Sequence, residues 1–451
     1  MKKTNKILSV ILSLILIFSV TVMAYAEGET YVISSPYSSV IWEGDDAWGA
    51  YKGSLHSHST YSDADVDLAT MVKEYYNQGY DFLANSDHGI TGTEWNKKQT
   101  CLPLYAYQTL LGNKVESLTD EEFTGITTGT YPLYDGTVRG TKMTCVVGAN
   151  ELNNMTLTKC HVNGFFLPEG VGDGFGGKEN GHELAIAFVE KNGGISHINH
   201  PGDFLESKDN IDAVSDPENV KYFGDMLLKY DSCLGIEVYN ENNGVTPYDR
   251  ILWDNLLMYC LPYGKTVFGY SNTDAHRQRD IDTSFSVFMM PENTEDNVRA
   301  AMENGNFFAV TRIAKANDLI GPAKEIDARN TELPYPVFTK VEVDGHTVNV
   351  TAKAADTIQW IADGKVIASG ELTDGAASLN LDEIEGAESF SYVRAEIYGE
   401  GGACLTQALV IEKDEPLTFT EETGFHAIIK KILFLLKSSL IWTIVIELTR
   451  L

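Results

Sequence analysis

Four short histidine motifs, spread over the first two thirds of the chain, most restrict what it can fold into. They are His56-Ser57-His58, Asp87-His88, His200-Pro201 and Asp274-Ala275-His276, and they hold five of the ten histidines. Side chains alternate along a strand with a period of two, so an HxH or DxH step places both members on one face. Neutral imidazole and carboxylate are ligands that zinc, manganese and iron prefer. The motifs therefore predict a site for more than one metal ion, as in a multinuclear metal hydrolase.

These motifs lie at or just after the ends of predicted strands, which alternate with predicted helices. The apolar, strand-like runs are residues 80–85, 144–147, 195–199, 234–239 and 266–270, and the helix-like runs are residues 67–78, 182–191, 249–260 and 293–304. Such alternation predicts a parallel α/β sheet or barrel, and in a barrel the C-terminal strand ends form the rim that carries the active site. Residues 90–143 and 161–181 break the alternation. We interpret them as long loops, which either cover the rim or form a peripheral structural insertion.

The chain begins like a secretory signal peptide. Three lysines precede an apolar stretch from Ile7 to about Val20, and Ala24-Tyr25-Ala26 fits the small-x-small cleavage rule. We expect residues 1–26 to be removed and the mature protein to be secreted or extracytoplasmic; an uncleaved membrane anchor is the alternative. The formal net charge of −30 argues against a nucleic-acid polymer as partner, because the acidic body repels phosphate backbones. The six cysteines are sparse and form no CxxC pair, so we predict no disulfide framework, while one or two bridges stay open.

The sequence pattern changes after Pro334. About seven short, alternating, β-branched runs follow, separated by turns such as Asp344-Gly345, Asp363-Gly364 and Asp374-Gly375. This pattern predicts a small all-β immunoglobulin-like sandwich over residues 334–415, after a hydrolase domain over residues 27–330. The sandwich would either stabilise the first domain or bind glycan or cell wall. Residues 416–451 are predicted to be a linker and an apolar tail containing lysines. This tail is either an interfacial helix at a membrane surface or a packed or disordered end.

The order and content of the histidine motifs resemble one known family. Residues 53–63 read GSLHSHSTYSD, residues 79–88 read GYDFLANSDH, residues 193–201 read GGISHINHP and residues 271–276 read SNTDAH. This series is similar to the successive motifs of the PHP (polymerase and histidinol phosphatase) family. The resemblance covers about residues 50–315 and leaves out the predicted sandwich and tail.

The resemblance implies a fold and a set of ligands. The fold is a distorted (β/α)7 TIM-like barrel with two or three divalent metal ions (Zn, Mn or Fe) at its C-terminal rim. Carried over by motif, the implied metal ligands are His56, His58, Asp63, His88, Glu151, His161, His200, Asp274 and His276. The family's bridging glutamate usually follows a glycine by two residues, whereas Glu151 follows Gly148 by three, so the spacing departs by one. Glu151, Asp274 and His276 are the candidate catalytic residues.

The ligands can be assigned to ions as a hypothesis. Glu151 would bridge a pair of ions completed by His56, His58, His200 and Asp274. Asp63 and His88 would hold a third ion, with His161 and His276 joining. Two ions about 3.5–4 Å apart would share a hydroxide able to attack a phosphoric ester. The alternatives for two ligands are a turn or helix-cap role for Asp63 and a structural role for His161.

Several other polar residues lie near the motifs in the sequence, and each has its own expected role. Asp87 is predicted to orient a ligand histidine, and Glu237 either to orient a ligand or to be structural. His197 is predicted to pack in the core, because three residues separate it from His200. His182 is expected to be solvated or capping. Arg277, Arg279 and Arg312 are candidate phosphate clamps, with ordinary salt bridging as the alternative for each.

The sequence thus favours an exported metal-dependent phosphoesterase. Its substrate would be a phosphomonoester or a small phosphodiester, such as a nucleotide or sugar phosphate. The alternatives are another metal-dependent hydrolysis, of C–N or carboxylic ester bonds, and a non-catalytic protein that binds glycan or a cell surface.

Overall fold

The computed structural model describes residues 31–98, 102–153, 159–173, 181–240, 247–315, 321–322, 324–413, 415–421, 423–425, 427–429 and 432. The predicted signal peptide and most of the predicted tail lie outside these ranges. Within them, no helix has the length and apolar character needed to cross a membrane. None of the five described cysteines, Cys145, Cys160, Cys233, Cys260 and Cys404, is in a disulfide.

The first part of the chain alternates strands and helices. Its strands are β1 Val32–Ser34, β2 Gly49–Ser54, β3 Phe82–Ala84, β4 Thr144–Val146, β5 Asn150–Leu152, β6 Val162–Phe165, β7 Ile195–Ile198, β8 Cys233–Asn240, β9 Phe268–Asn272, β10 Ser284–Met290, β11 Phe307–Thr311, β12 Ile313–Ala314 and β13 Ile326–Asp327. Its helices are α1 Leu68–Asn77, α2 Leu102–Leu111, α3 Asp120–Thr128, α4 His182–Lys191, α5 Pro201–Phe204, α6 Pro217–Lys229, α7 Asp249–Cys260 and α8 Glu295–Asn304.

The second part consists mainly of strands. They are β14 Val337–Asp344, β15 Thr347–Lys353, β16 Thr357–Ala362, β17 Lys365–Glu371, β18 Ala376–Asn380, β19 Tyr392–Gly399, β20 Gly402–Leu405 and β21 Leu409–Glu412.

Local sequence explains where the helices form. In α1, buried Leu68, Met71, Val72, Tyr75 and Tyr76 recur at the spacing of one helix face, and Asp67 caps the N-terminus by accepting a hydrogen bond from the Thr70 amide. The prediction of a loop over 90–143 was wrong, because this segment contains α2 and α3. Helix α3 begins with a capping box between Thr119 and Glu122 and ends at Gly129 in the left-handed conformation.

The strands form several sheets of mixed direction. The largest described sheet has the order β1-β21-β19-β20-β11-β10-β2-β3-β4, with β16 beside β19 and β17 beside β16. A second sheet has the order β5-β6-β7-β8-β9, a third β14-β15-β18, and a small one pairs β12 with β13. Strands β2, β3 and β4 are mutually parallel, as are β7, β8 and β9, whereas β6 is antiparallel to both neighbours.

Two isolated bridges join the first and second sheets near the ends of their strands. His88, after β3, bridges to Glu151 of β5, and Ser57, after β2, bridges to Ala275, after β9. Apart from these two bridges, the strands around the motifs belong to two separate sheets, the first and the second. The fold is therefore mixed α/β, and the (β/α)7 barrel stays a prediction. Both bridges lie among the histidine motifs, which shows that the motifs meet where the two sheets meet.

The C-terminal strands share a hydrophobic core with the first part. Strand β20 pairs with β11, and β21 pairs with β1. Phe308 of β11 packs between Tyr37 and Phe338 of β14, at ring-centroid distances of 4.9 and 5.3 Å. The separate sheet of β14, β15 and β18 agrees with a β-sandwich arrangement. The other C-terminal strands, β16, β17 and β19 to β21, belong instead to the large sheet of the first part.

Candidate metal centre

The predicted ligands converge because the chain delivers them to one edge of the two sheets. His56 and His58 follow β2, His88 follows β3, His200 follows β7, and Asp274 with His276 follows β9. All of these strands end at the same edge. His161 immediately precedes β6, whose antiparallel direction brings its start to that edge as well. Glu151 lies within β5 and reaches the middle of the set.

The first donor group is fully enclosed and consists of His56, His58, Glu151 and Asp274. Nε2 of His58 lies 3.0 Å from Oε2 of Glu151 and 3.2 Å from Oδ1 of Asp274. Nε2 of His56 lies 3.2 Å from each of the same two carboxylate atoms. Two imidazole nitrogens and two carboxylate oxygens thus face one small volume.

Two further groups overlap with the first. His88, Glu151 and His161 form one, and His58, Asp63 and His88 form the other. Nε2 of His88 lies 3.3 Å from Oε2 of Glu151 and 3.7 Å from Oδ2 of Asp63, whereas Nδ1 of His161 lies 3.0 Å from Oε1 of Glu151. Glu151 therefore takes part in two groups, as expected of a bridging carboxylate.

His200 and His276 lie beside these groups. Nε2 of His200 is 3.2 Å from Oε1 of Glu151, and Nε2 of His276 is 3.4 Å from Oδ1 of Asp63. The structure thus brings all nine predicted ligands together. It differs from the hypothesis in that His161 joins Glu151 and His88, while His200 is outside the first group.

Backbone strain accompanies two of the ligands. His200 has φ +26° and Asp274 has φ +46°, in the left-handed region that side chains with a Cβ rarely adopt. Such conformations cost about 1–3 kcal/mol each and persist where the surrounding structure fixes them, often at functional sites. Here they turn both side chains towards Glu151.

The electrostatics follow from mixing buried imidazoles and carboxylates. Burial alone would raise the pKa of Glu151, but the imidazoles of His56, His88 and His161 hold it well below its usual range. Conversely, burial lowers the pKa of His56, while Asp274, Glu151 and Glu237 outweigh this effect and raise it well above the usual value. The carboxylates are therefore ionised and attract positive charge into the cluster.

The donor set fits divalent metal ions. Oδ1 of Asp274 is buried, and its neighbours at 3.2 Å, Nε2 of His56 and of His58, are not oriented to donate a hydrogen bond to it. A buried charged acceptor without a donor is costly unless a cation satisfies it. Imidazole with carboxylate is the chemistry that Zn, Mn and Fe select. The cluster is thus suited to bind divalent metal.

The tautomers of three histidines also fit ligation. Nδ1 of His56 lies 2.8 Å from Oε1 of Glu237, Nδ1 of His88 lies 3.3 Å from the Glu151 carbonyl, and Nδ1 of His276 lies 2.9 Å from the Asp274 carbonyl. A carbonyl oxygen or an ionised carboxylate oxygen only accepts, so each Nδ1 carries the proton. In the neutral rings, the Nε2 lone pair is then free to bind metal.

Glu237 emerges as an orienting residue, a role that the sequence left open. It is fully buried, and besides facing His56 it accepts hydrogen bonds from Asn272, Asn240 and the His200 amide. Asn199 likewise donates to Oε1 of Glu151 at 2.7 Å. Sequence reasoning missed Asn199, although it directly precedes His200.

Replacing Glu237 with glutamine should lower metal affinity by about 10–100-fold, the usual effect of losing a carboxylate behind a ligand histidine. The amide still fits the site, but it no longer offers His56 a charged acceptor. Competition with a chelator would measure the dissociation constant. Glu121→Gln, on an exposed face of α3, is the control. Equal affinity in E237Q and the wild type would mean that Glu237 does not support the ligand.

Asp87 does not act as predicted. Its carboxylate accepts hydrogen bonds from the Ser59 amide and hydroxyl, from Ser62 and from Asn85. It therefore fixes the loop after β2, and it reaches a histidine only through Ser62, whose hydroxyl lies 3.3 Å from Nδ1 of His58.

His197 packs in the core, as its spacing predicted. Its ring stacks on Tyr270 at 4.7 Å. By contrast, the expectation of a solvated His182 was wrong: this side chain is buried against Phe204 and Phe223, with Nδ1 3.1 Å from the Tyr222 hydroxyl.

Stability should fall between pH 7 and pH 5, and His197 should contribute about 2 kcal/mol of that loss. Burial lowers its pKa to about 4, whereas the unfolded value is about 6.5. In this interval the unfolded chain therefore binds the proton, and acid favours unfolding. Urea midpoints at both pH values would show a shallower pH dependence for His197→Phe, which keeps the aromatic stacking. The same pH dependence in both proteins would contradict this account.

The three candidate arginines have different surroundings. Arg312 is buried and donates to Asp282 and to the Leu333 carbonyl, so its guanidinium is already engaged and the clamp role was wrong. Arg277 bonds Asp65 at 2.9 Å. Arg279 lies 3.7 Å from Asp280 and is 71% exposed.

Comparisons with known proteins give low overall similarity. No family model matches the chain, and no curated protein does. Among solved structures, a two-domain protein from Bacteroides vulgatus, described as containing a predicted PHP-like metal-dependent phosphoesterase, is 14% identical, with 82% of this chain and 98% of that chain covered and a TM-score of 0.38. A lesion-specific endonuclease from Pyrococcus furiosus is 14% identical over 56% of each chain (TM-score 0.30). An amidohydrolase from Chromobacterium violaceum is 14% identical over 50% of this chain and 87% of that chain (TM-score 0.27).

The Bacteroides protein carries the same PHP-like designation that the histidine motifs suggested. At TM-scores below 0.4, however, these similarities transfer no residue roles to this chain. Its function must be inferred from its own side chains.

Proposed function

We propose that this protein is a metal-dependent hydrolase of phosphoric esters, acting on phosphomonoesters or small phosphodiesters. The observation that carries the proposal is the set of three overlapping donor groups. Each of Glu151, His58 and His88 belongs to two of the three groups. A bridging carboxylate within a histidine cluster is how proteins hold neighbouring metal ions, and such pairs are typical of phosphoester hydrolysis.

Two or three divalent ions (Zn, Mn or Fe) would be held by the nine converging residues. When bound, the ions would activate water and neutralise phosphoryl charge. Glu151 holds the groups together, and Asn199 fixes one of its oxygens. Glu237 keeps the proton of His56 on Nδ1 and thereby directs Nε2 inwards.

The open side of the centre is formed by Asp63 and His276. Their side chains are 44% and 29% exposed, whereas His56, His58 and Glu151 are enclosed. Substrate therefore approaches past His276. Burial lowers the pKa of His276, but Asp63 and Asp274 outweigh this effect and raise it above the usual value. The position of His276 at the entrance supports its assignment as a catalytic residue.

The proposal extends to architecture and location. We take β2, β3 and β5 to β9, joined by the two isolated bridges, as a distorted seven-stranded barrel, and the later strands as an immunoglobulin-like sandwich. We also take the protein to be exported, with a small phosphorylated substrate rather than a nucleic-acid polymer, and with its C-terminal region associating with a membrane surface or cell wall. The N-terminal sequence, the net charge of −30 and the apolar tail support these assignments.

The test is hydrolysis of p-nitrophenyl phosphate and bis-p-nitrophenyl phosphate by the manganese- or zinc-loaded protein, with p-nitrophenyl acetate in parallel. Metal-dependent release from a phosphate ester, lost in His58→Ala, is the expected result. The preferred ester distinguishes monoesterase from diesterase activity. Release from acetate alone would indicate another hydrolase, and no release with two or more bound metals would indicate a binding protein.

A further inference from the structure

A cavity of about 600 Å³ adjoins the metal centre on its open side. Asp63 and His276 line the end nearest the metal ligands. The rest is lined by three arginines together with two aspartates, Thr283 and Asn330; the charged residues there are Arg277, Arg279, Arg329, Asp65 and Asp280. A cavity of this volume is within the range for small-molecule sites. Substrate held by the metal centre would therefore extend into a pocket that offers guanidinium groups among its lining side chains.

The arginine content of this cavity is unusual for the chain. The protein has nine arginines and a net charge of −30, and three of the nine line this one pocket. The three guanidinium groups offset the three carboxylates that share the cavity, so an anion meets less repulsion there than from the acidic body as a whole. Guanidinium also grips phosphate or carboxylate in two places.

The three arginines differ in how far they are already engaged. Arg277 donates to Asp65 at 2.9 Å, and Arg329 pairs with Asp327 through both Nε and Nη2. Arg279, in contrast, has its acidic neighbour, Asp280, at 3.7 Å and is 71% exposed. Arg279 is therefore the arginine with the most capacity for a new anionic partner.

Arg329 belongs to a segment beyond the region of family resemblance. It follows β13, which pairs with β12, and the neighbouring Ala328 amide donates to the Arg312 carbonyl at 2.9 Å. These hydrogen bonds hold the segment against the end of the first part. The cavity thus combines a loop after β9 with a segment that precedes the C-terminal strands.

We propose that this cavity binds a second anionic group of the substrate through Arg279 and Arg329, so that the preferred substrate is a small phosphoester bearing another phosphate or a carboxylate. This inference rests on the proposed function, since the scissile phosphate would occupy the metal centre.

The experiment compares three esters: propyl phosphate, propane-1,3-diyl bisphosphate and 3-(phosphonooxy)propanoate. The second group should raise kcat/KM by about tenfold or more over propyl phosphate, the effect of a hydrogen bond between charged groups. Whichever of the two esters with a second anionic group is preferred identifies that group as phosphate or carboxylate. The ratio of kcat/KM for the preferred ester to kcat/KM for propyl phosphate should fall towards one in Arg279→Gln and in Arg329→Gln. It should persist in Arg299→Gln, an exposed arginine paired with Glu303 on α8.

Equal kcat/KM for all three esters in the wild type, or the same preference in R279Q and R329Q as in R299Q, would overturn the proposal. If no ester is hydrolysed, the proposed function fails, and calorimetric binding of propane-1,3-diyl bisphosphonate against propylphosphonate decides this inference separately. A tenfold preference for the bisphosphonate that R279Q removes would support it. Equal binding of the two phosphonates would refute it.

Discussion

Replacing Glu151 with glutamine should abolish metal loading and reduce hydrolysis by on the order of a thousandfold or more. Five imidazoles, those of His56, His58, His88, His161 and His200, lie 3.0–3.3 Å from its carboxylate oxygens. An amide has nearly the same shape but lacks the charge, and its nitrogen cannot bind metal. The substitution therefore removes the atoms common to two donor groups while leaving the cavity filled.

The measurement combines metal content by plasma mass spectrometry with kcat/KM on the ester preferred by the wild type. Glu303→Gln is the control, since Glu303 is exposed on α8, where it pairs with Arg299. Circular dichroism should show that both variants are folded. If E151Q kept its metal and turned over within about tenfold of the wild type, Glu151 would not be the bridging ligand.

The convergence of the paired candidate ligands was predictable from sequence because their spacing is local, whereas Glu151, Asp63 and His161 were assigned through the family resemblance. His56 and His58 are two residues apart after a strand, and Asp274 and His276 repeat that spacing after another. Ends of parallel strands meet at one edge, so such pairs converge without any knowledge of side-chain contacts. Helices α4 and α7 were likewise predicted to the residue; α4 is amphipathic and ends before Asn192-Gly193-Gly194, whereas α7 is buried over most of its surface.

What the sequence could not predict depends on contacts between distant segments. Glu237 and His56 are 181 residues apart, and only the folded chain shows that they face each other at 2.8 Å. The sequence likewise could not predict the pairing of β11 with β20. These strands lie on opposite sides of the expected boundary at residue 334, and their ordinary alternating patterns do not identify a partner. Asp87 was misassigned since a carboxylate next to a ligand histidine can also face the preceding loop.

Truncating Arg394 should destabilise the whole protein by about 3–5 kcal/mol, because it would leave buried carboxylates without a partner. Arg394, on β19, is fully buried and bonds both oxygens of Asp254 on α7 at 2.7 Å. It also pairs with Glu396, which in turn bonds Arg250 at 3.2 Å. This network connects the C-terminal strands to a helix of the first part.

Urea unfolding of Arg394→Met would measure the effect, and Arg299→Ala, which breaks an exposed pair, should cost no more than about 1 kcal/mol. The double variant Asp254→Leu/Arg394→Met should recover part of the loss, since it also removes one of the orphaned charges. Trp253 on α7 and Trp360 on β16 lie in two different hydrophobic clusters, each of which contains residues of both parts, so their tryptophan fluorescence should be lost in a single transition. An R394M variant as stable as R299A, or two separate transitions, would show that the network does not bind the parts into one cooperative unit.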